Sequence, residues 1–281
     1  MPIFIIIISG FLHAIWNVIA KKSRNKNAFL LSVQSMSILI FFPYVLSHLN
    51  AINWCWQSIL VMIASMVFHG VYCVLLSRAY SVADISKIYP ITRGSSSLIV
   101  PLVAVTMMGE RLTFLGWSGV VAIVLGILLL NESSWSTEGI KKLITPHTLL
   151  ALMIGACIAS YILVDKIAVH YFPVLTVNWI GTAGNIIMLL FFVRSKRTVI
   201  REWKINYIKI LIGAILAPLS YILFLYVVQN HQVAQLAPIR EIGTVFGVAI
   251  GVFLLKEPKG PRRLIASALV TGGIILLGMN R

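Results

Sequence analysis

The chain has 281 residues, of which 59% are hydrophobic and only 11% charged, against roughly 25% charged in soluble globular domains. That balance excludes an ordinary water-soluble domain and points to a bilayer. The net charge of +15 does not read as a nucleic-acid footprint, because the basic residues fall in short clusters between apolar runs and form no single stripe.

Runs long enough to cross about 30 Å of hydrocarbon fall near residues 2–20, 28–48, 57–78, 85–108 and 112–130. A polar stretch, 131–146, follows, and five more runs lie near 147–168, 174–194, 205–228, 233–255 and 261–279. The first run has no basic start and turns polar at His13 and Asn17, so it reads as a span and not as a cleaved signal peptide. Cys55, Cys73 and Cys157 offer no disulfide framework. Trp54, Trp56, Trp117, Trp135 and Trp203 sit near span ends, as interfacial aromatics do.

In the first span Ser9, His13 and Asn17 recur every four residues, with Trp16 beside them, and make one polar stripe. His13 is a candidate proton carrier or a neutral histidine bonded between helices. The third span carries Ser65, His69, Tyr72, Cys73 and Tyr80 on one face, which reads as cavity lining or as polar glue between helices. Pro90 opens the fourth span, Arg93 follows one turn later, and Gly109-Glu110-Arg111 closes it.

On the sixth span Asp165 follows Tyr161 by four residues and adjoins Lys166. A salt bridge at the membrane rim is the first expectation for Asp165, and ion coupling the second. Asn178, Thr182 and Asn185 share a face with Gly181 and Gly184 on the seventh span, suited to close helix packing. Ser220, Tyr221 and Phe224 on the eighth read first as core packing and second as an aromatic wall to a cavity. The ninth holds Pro238, Arg240 and Glu241.

The two halves align. Setting Pro90 on Pro238 puts Arg93 on Glu241, and setting His13 on Ile158 puts Trp16 on Tyr161 and Lys21 on Lys166. Five spans per copy is an odd number, so the second copy enters the membrane upside down, as in inverted-repeat carriers with a site at the midplane. The expected fold is therefore an all-α integral membrane protein: ten transmembrane helices as two inverted five-helix repeats, 1–130 and 147–281, joined by 131–146 around a central cavity. Eighteen Lys and Arg fall in the odd-numbered connections and three in the even-numbered ones and tails. The positive-inside rule then puts both termini on the non-cytoplasmic side of the cell (inner) membrane.

Arg93 and Glu241 each lie eight residues into spans that enter from opposite faces. At 1.5 Å per residue each is about 12 Å deep, so in a core of about 30 Å they differ in depth by only about 6 Å. Arg93 offers a planar fork for a carboxylate or phosphonate, and Glu241 can hold an ammonium or a proton. The plainer alternative is a structural ion pair. Arg240 points away from its neighbour Glu241 on a regular helix and is expected to snorkel or pack.

Several of these residues also carry a resemblance. Trp16, Asn17 and Lys21 at the end of the first helix, Arg78-Ala79-Tyr80 in the third, and a proline helix closing with Gly109-Glu110-Arg111-Leu112-Thr113 resemble the EamA-type branch of the drug/metabolite transporter superfamily. The opening Leu12 to Asn17 further resembles a phosphonate-utilisation subgroup. The resemblance implies a carrier whose helices 1, 3, 4, 6, 8 and 9 surround a cavity and move small metabolites. The second half departs from the pattern, with Lys256-Glu257-Pro258 in place of a closing Gly-Glu.

The expected function is secondary transport of a small polar or zwitterionic metabolite, amino acid or aminophosphonate-like, by alternating access. Arg93, Glu241, His13, Trp16, Asn17, His69, Tyr72, Tyr161 and Tyr221 are the candidate substrate-binding residues, and Glu241, Asp165 and His13 the candidate ion-coupling ones. No P-loop and no His-Glu-x-x-His or paired-aspartate pattern occurs, so neither ATP drive, cofactor, metal nor enzymatic activity is expected. Expected partners are the solute, the lipid bilayer and a second copy of the chain, with no nucleic acid. The alternatives are a lipid-flipping or accessory subunit and an intramembrane enzyme built on Gly94-Ser95 and His69.

Overall fold

The structure, a computed structural model, describes residues 1–21, 23–82, 85–129, 146–193, 195–246 and 261–280. Ten α-helices are described: α1 Pro2–Lys21, α2 Lys26–Ser47, α3 Trp56–Val82, α4 Ile85–Met107, α5 Phe114–Leu129, α6 Pro146–Ala168, α7 Val174–Phe192, α8 Lys196–Val228, α9 Val233–Ile239 and α10 Pro261–Gly278. The linker at 131–145 with Trp135, the end of the ninth span and the Lys256-Glu257-Pro258 turn lie outside the described residues. Among the described residues six helices, α1, α2, α3, α6, α7 and α8, are long and apolar enough to cross a membrane by length and composition.

Large apolar side chains face outward as well as inward, as a hydrocarbon solvent permits, and some ionisable groups lie inside. Phe4, Leu39, Leu60, Leu190 and Ile275 are more than half exposed, whereas Asp165, Glu241 and Glu202 are buried.

The helices pair in a pattern that survives exchange of the first five with the second five. α3 packs on α6 and α7, and α8 packs on α1 and α2. α4 packs on α5 and α6, and α9 on α10 and α1. The pairs α2 with α7, α4 with α9 and α5 with α10 map onto themselves.

Close approach rests on glycine. A Cβ on Gly184 of α7 would run into the Met66 backbone carbonyl of α3, and one on Gly181 would meet the His69 ring at 2.7 Å. Small residues let the two helices pack at van der Waals distance where no aqueous hydrophobic drive acts between them. Gly184→Val should therefore push α3 and α7 apart and lower the melting temperature in detergent, by about 1–3 kcal/mol of stability. An unchanged melting curve would mean that this contact contributes nothing.

Two features differ from the expected spans. The eighth helix starts near residue 196, not 205. Its first ten residues are basic and so read as loop, yet they are helical up to a kink at Asn206 (φ −126°, ψ 25°). The ninth span is broken: α9 stops at Ile239, Arg240 and Glu241 form a turn, and helix resumes over 242–246. Pro238 lacks the N–H that a continuous ladder needs, and the chain tightens there. Glu241 N–H donates to the Pro238 carbonyl at 3.0 Å and Thr244 N–H to the Glu241 carbonyl at 2.8 Å.

The turn after α4 sets where α9 begins. Gly109 takes a left-handed φ of +70°, a conformation that only glycine adopts without cost. Glu110 then accepts from Val233 N–H at 3.0 Å and Ala234 N–H at 2.7 Å. No side chain of α9's own segment caps it, so a carboxylate from the other half supplies the anionic cap that a helix start favours.

Candidate functional site

The break in α9 sits against α1. A Cβ on Gly10 would lie 2.9 Å from the Arg240 carbonyl, and one on Gly243 would lie 2.8 Å from the Gly10 carbonyl. The two backbones thus touch where α9 is interrupted. Interrupted helices are tolerated in membranes where protein or a cavity satisfies the freed groups.

From this break Glu241 faces α4. Arg93 Nη1 donates to Glu241 Oε1 at 3.2 Å, with the two side chains 11% and 9% exposed. The pair faces protein, as charges within membrane-spanning helices must, and keeps slight access. Arg93 Nη2 donates to His13 Nε2 at 2.6 Å. Because a guanidinium only donates, that nitrogen must carry the lone pair, and His13 is neutral with its proton on Nδ1 in this state. α4 is held in place beside the pair by Thr92, whose hydroxyl donates to the Ala151 carbonyl of α6 at 3.3 Å.

Of the two courses expected for Arg240, snorkelling or packing, the structure shows packing between helices. The turn it occupies aims it inward. Its Nε donates to Ser9 Oγ at 3.1 Å and its Nη2 to Ser220 Oγ at 3.2 Å. Those two serines bridge α1 and α8 by exchanging hydroxyl-to-carbonyl bonds of 2.6 and 2.9 Å. The guanidinium carbon lies 5.2 Å from the Tyr221 ring centre and 4.9 Å from that of Phe224, within cation–π range.

A second polar cluster surrounds Asp165, which is fully buried. The Ser65 hydroxyl donates to its Oδ1 at 2.6 Å, the Tyr221 hydroxyl donates to its Oδ2 at 2.6 Å, and His69 Nε2 lies 2.9 Å from the same oxygen. Tyr161 stacks on His69 at 4.2 Å, and Tyr72 meets Tyr161 edge-on at 5.6 Å. The expected rim bridge between Asp165 and Lys166 is thereby corrected. Consecutive helical residues point about 100° apart, so Lys166 turns to the end of α8, where its Nζ donates to the Val228 and His231 carbonyls at 2.5 and 2.9 Å.

Tyr221 connects the second cluster to Arg240, with its hydroxyl on Asp165 and its ring under the guanidinium. Of the candidate residues, Arg93, Glu241 and His13 form one contact group, and His69, Tyr72, Tyr161, Asp165 and Tyr221 the other. Trp16 stands apart. It is buried against Phe29 and Gly213 in a separate apolar cluster between α1, α2 and α8. Asn17, one turn beyond His13, is half-buried. The capping role of Glu110 was not apparent from spacing. Among the described residues no group of three or more His, Cys, Asp or Glu could hold a metal ion.

Comparison with known proteins agrees with this architecture. A solved crystal structure superposes with a TM-score of 0.74 at 14% identity, covering 99% of this chain and 98% of its own, which establishes a shared fold. No curated protein matches the sequence. The model of the EamA-like transporter family matches residues 146–279, the span that supplies Asp165, Tyr221, Arg240 and Glu241. This multi-pass membrane protein carries, over residues 146–279, a domain of the EamA-like transporter family.

Proposed function

We propose that the protein is a secondary carrier that moves a small polar or zwitterionic metabolite, amino acid or aminophosphonate-like, across the cell (inner) membrane by alternating access, with both termini on the non-cytoplasmic side. The observation that carries the reading is the contact of Arg93 with Glu241 at the break of α9, away from lipid. The helix pairing that survives exchange of the two halves supports repeats 1–130 and 147–281 rocking about that contact.

The chemistry follows from charge balance. An empty carrier must not leave a lone charge at this depth, and here each group neutralises the other. A zwitterion replaces that single pair with two. Its anionic end takes the guanidinium fork, and its ammonium takes the Glu241 carboxylate. Arg240 adds positive potential beside the anion, while Tyr221 and Tyr161 wall the approach. Asp165, Glu241 and His13 are the groups through which a proton or cation would couple.

The test is counterflow. Purified protein in liposomes preloaded with one unlabelled amino acid or aminophosphonate should accumulate the labelled compound saturably. A thermal-shift screen against amino acids, aminophosphonates, polyamines and nucleosides selects which compound to load. No saturable flux of any member of the screen would overturn the carrier reading.

A further inference from the structure

At the membrane face where α1 meets α2 and α8 begins, a cavity of about 330 Å³ is lined by Arg24, Asn25, Arg197, Thr198, Arg201 and Glu202. Arg197 and Arg201 are four residues apart on α8 and so share one helix face, while Arg24 approaches from the α1–α2 connection. All three are exposed. The carboxylate in the cavity forms no ion pair with them, and three guanidinium charges against one carboxylate leave the lining net positive. Glu202 is 2% exposed and accepts from Arg24 N–H at 3.3 Å, Asn25 N–H at 3.2 Å and Asn206 Nδ2 at 2.7 Å. It is spent on the start of α2 and the kink of α8. Among the described residues no carboxylate lies within ion-pair distance of the three guanidinium groups.

The start of α8 adds to the positive field, since Ser195 at its N-cap makes no side-chain capping bond and the first-turn N–H groups carry the positive end of the helix dipole. Directly below, the helix becomes apolar and faces outward, with Ile205 53% and Ile208 54% exposed. A concave basic cradle above an outward apolar flank matches a molecule with a phosphate at one end and acyl chains at the other.

We infer that this cavity binds the phosphate of one anionic phospholipid, whose chains lie along Ile205 and Ile208. Arg24 belongs to the first half of the chain and Arg197 and Arg201 to the second, so the lipid would tie the two halves together at this face. The apolar flank favours a lipid over a free phosphate ion, which would gain nothing from it. The inference does not depend on the transport reading.

The test uses the full chain in nanodiscs of phosphatidylcholine with or without phosphatidylglycerol. Wild type should melt higher with phosphatidylglycerol and retain one such lipid in native mass spectrometry. Arg197→Gln with Arg201→Gln should weaken that lipid's binding by about thirtyfold, the worth of two basic residues near a membrane surface. Lys196→Gln with Lys204→Gln removes the same charge from exposed positions outside the cavity and should leave binding within about twofold of wild type. Equal losses in the two double variants would reduce the effect to diffuse surface charge and overturn the site. Rescue of the melting temperature in pure phosphatidylcholine by inorganic phosphate alone would overturn the lipid assignment. Should the glutamine variant fail to fold, Arg24→Gln alone must still show the weakened binding, and wild-type binding there would also overturn the site.

Discussion

Arg93→Ala and Glu241→Gln should each abolish solute uptake in proteoliposomes while leaving membrane insertion intact. Truncating one partner of a buried, hydrogen-bonded charge pair costs about 2–5 kcal/mol, so transport should fall by at least about thirtyfold. Two roles for the pair are separable. If Arg93 and Glu241 only neutralise each other, the double variant Arg93→Gln with Glu241→Gln removes both charges and should restore transport. If they grip the ends of a zwitterion, the double variant should fold as well as wild type or better and still not transport. The second outcome is the expected one. Wild-type rates in both single variants, or recovery in the double variant, would remove these residues from the transport site. The charge-swapped variant, Arg93→Glu with Glu241→Arg, keeps the pair but exchanges the depths of its ends, so it should be stable and should discriminate against the native substrate.

The contact of Arg93 with Glu241 could be read from the chain because its signals are local and discrete: two prolines, two charges at equal distance from span starts, and an odd number of spans per copy. Arg240 could not be read in the same way. It does part from its neighbour, since Glu241 bonds Arg93 while Arg240 bonds Ser9 and Ser220, but the direction it takes is set by the turn between Ile239 and residue 242. Lys166 misled for the opposite reason. On a continuous helix the nearest charge in sequence faces elsewhere, and the partners of Asp165 come from α3 and α8, 56 to 100 residues away. Trp16 shows the limit of composition: an aromatic residue on a polar stripe looks the same whether it meets a solute or Gly213, and only packing decides. The helical start of α8 was hidden because a basic amphipathic segment and a basic loop share their residues. Its buried Glu202, engaged with the start of α2, is what the sequence could not reveal.

Asp165→Asn should uncouple transport from the proton gradient without closing the site. In the wild-type arrangement the carboxylate accepts from the Ser65 and Tyr221 hydroxyls and lies 2.9 Å from His69 Nε2, so groups from α3 and α8 converge on it. Protonation would turn one of those oxygens into a donor, so the three contacts must rearrange, by His69 or Ser65 reversing its role or by Tyr221 letting go. Tyr221 is the consequential one, because its ring also lies under Arg240, next in the chain to Glu241. Movement of that ring shifts the positive charge beside the Arg93–Glu241 contact, which gives the protonation state of Asp165 a physical route to the solute site. An asparagine fixes one donor and one acceptor permanently and so cannot switch. Uptake by wild type should rise severalfold when an inward pH gradient is imposed, whereas Asp165→Asn should keep solute counterflow, which needs no net proton movement, and lose the response to the gradient. A structural role makes a different mark: the variant would then lose counterflow and thermal stability together. Retained gradient stimulation in Asp165→Asn would place the coupling group elsewhere, with Glu241 or His13 next in line, since both touch Arg93 directly.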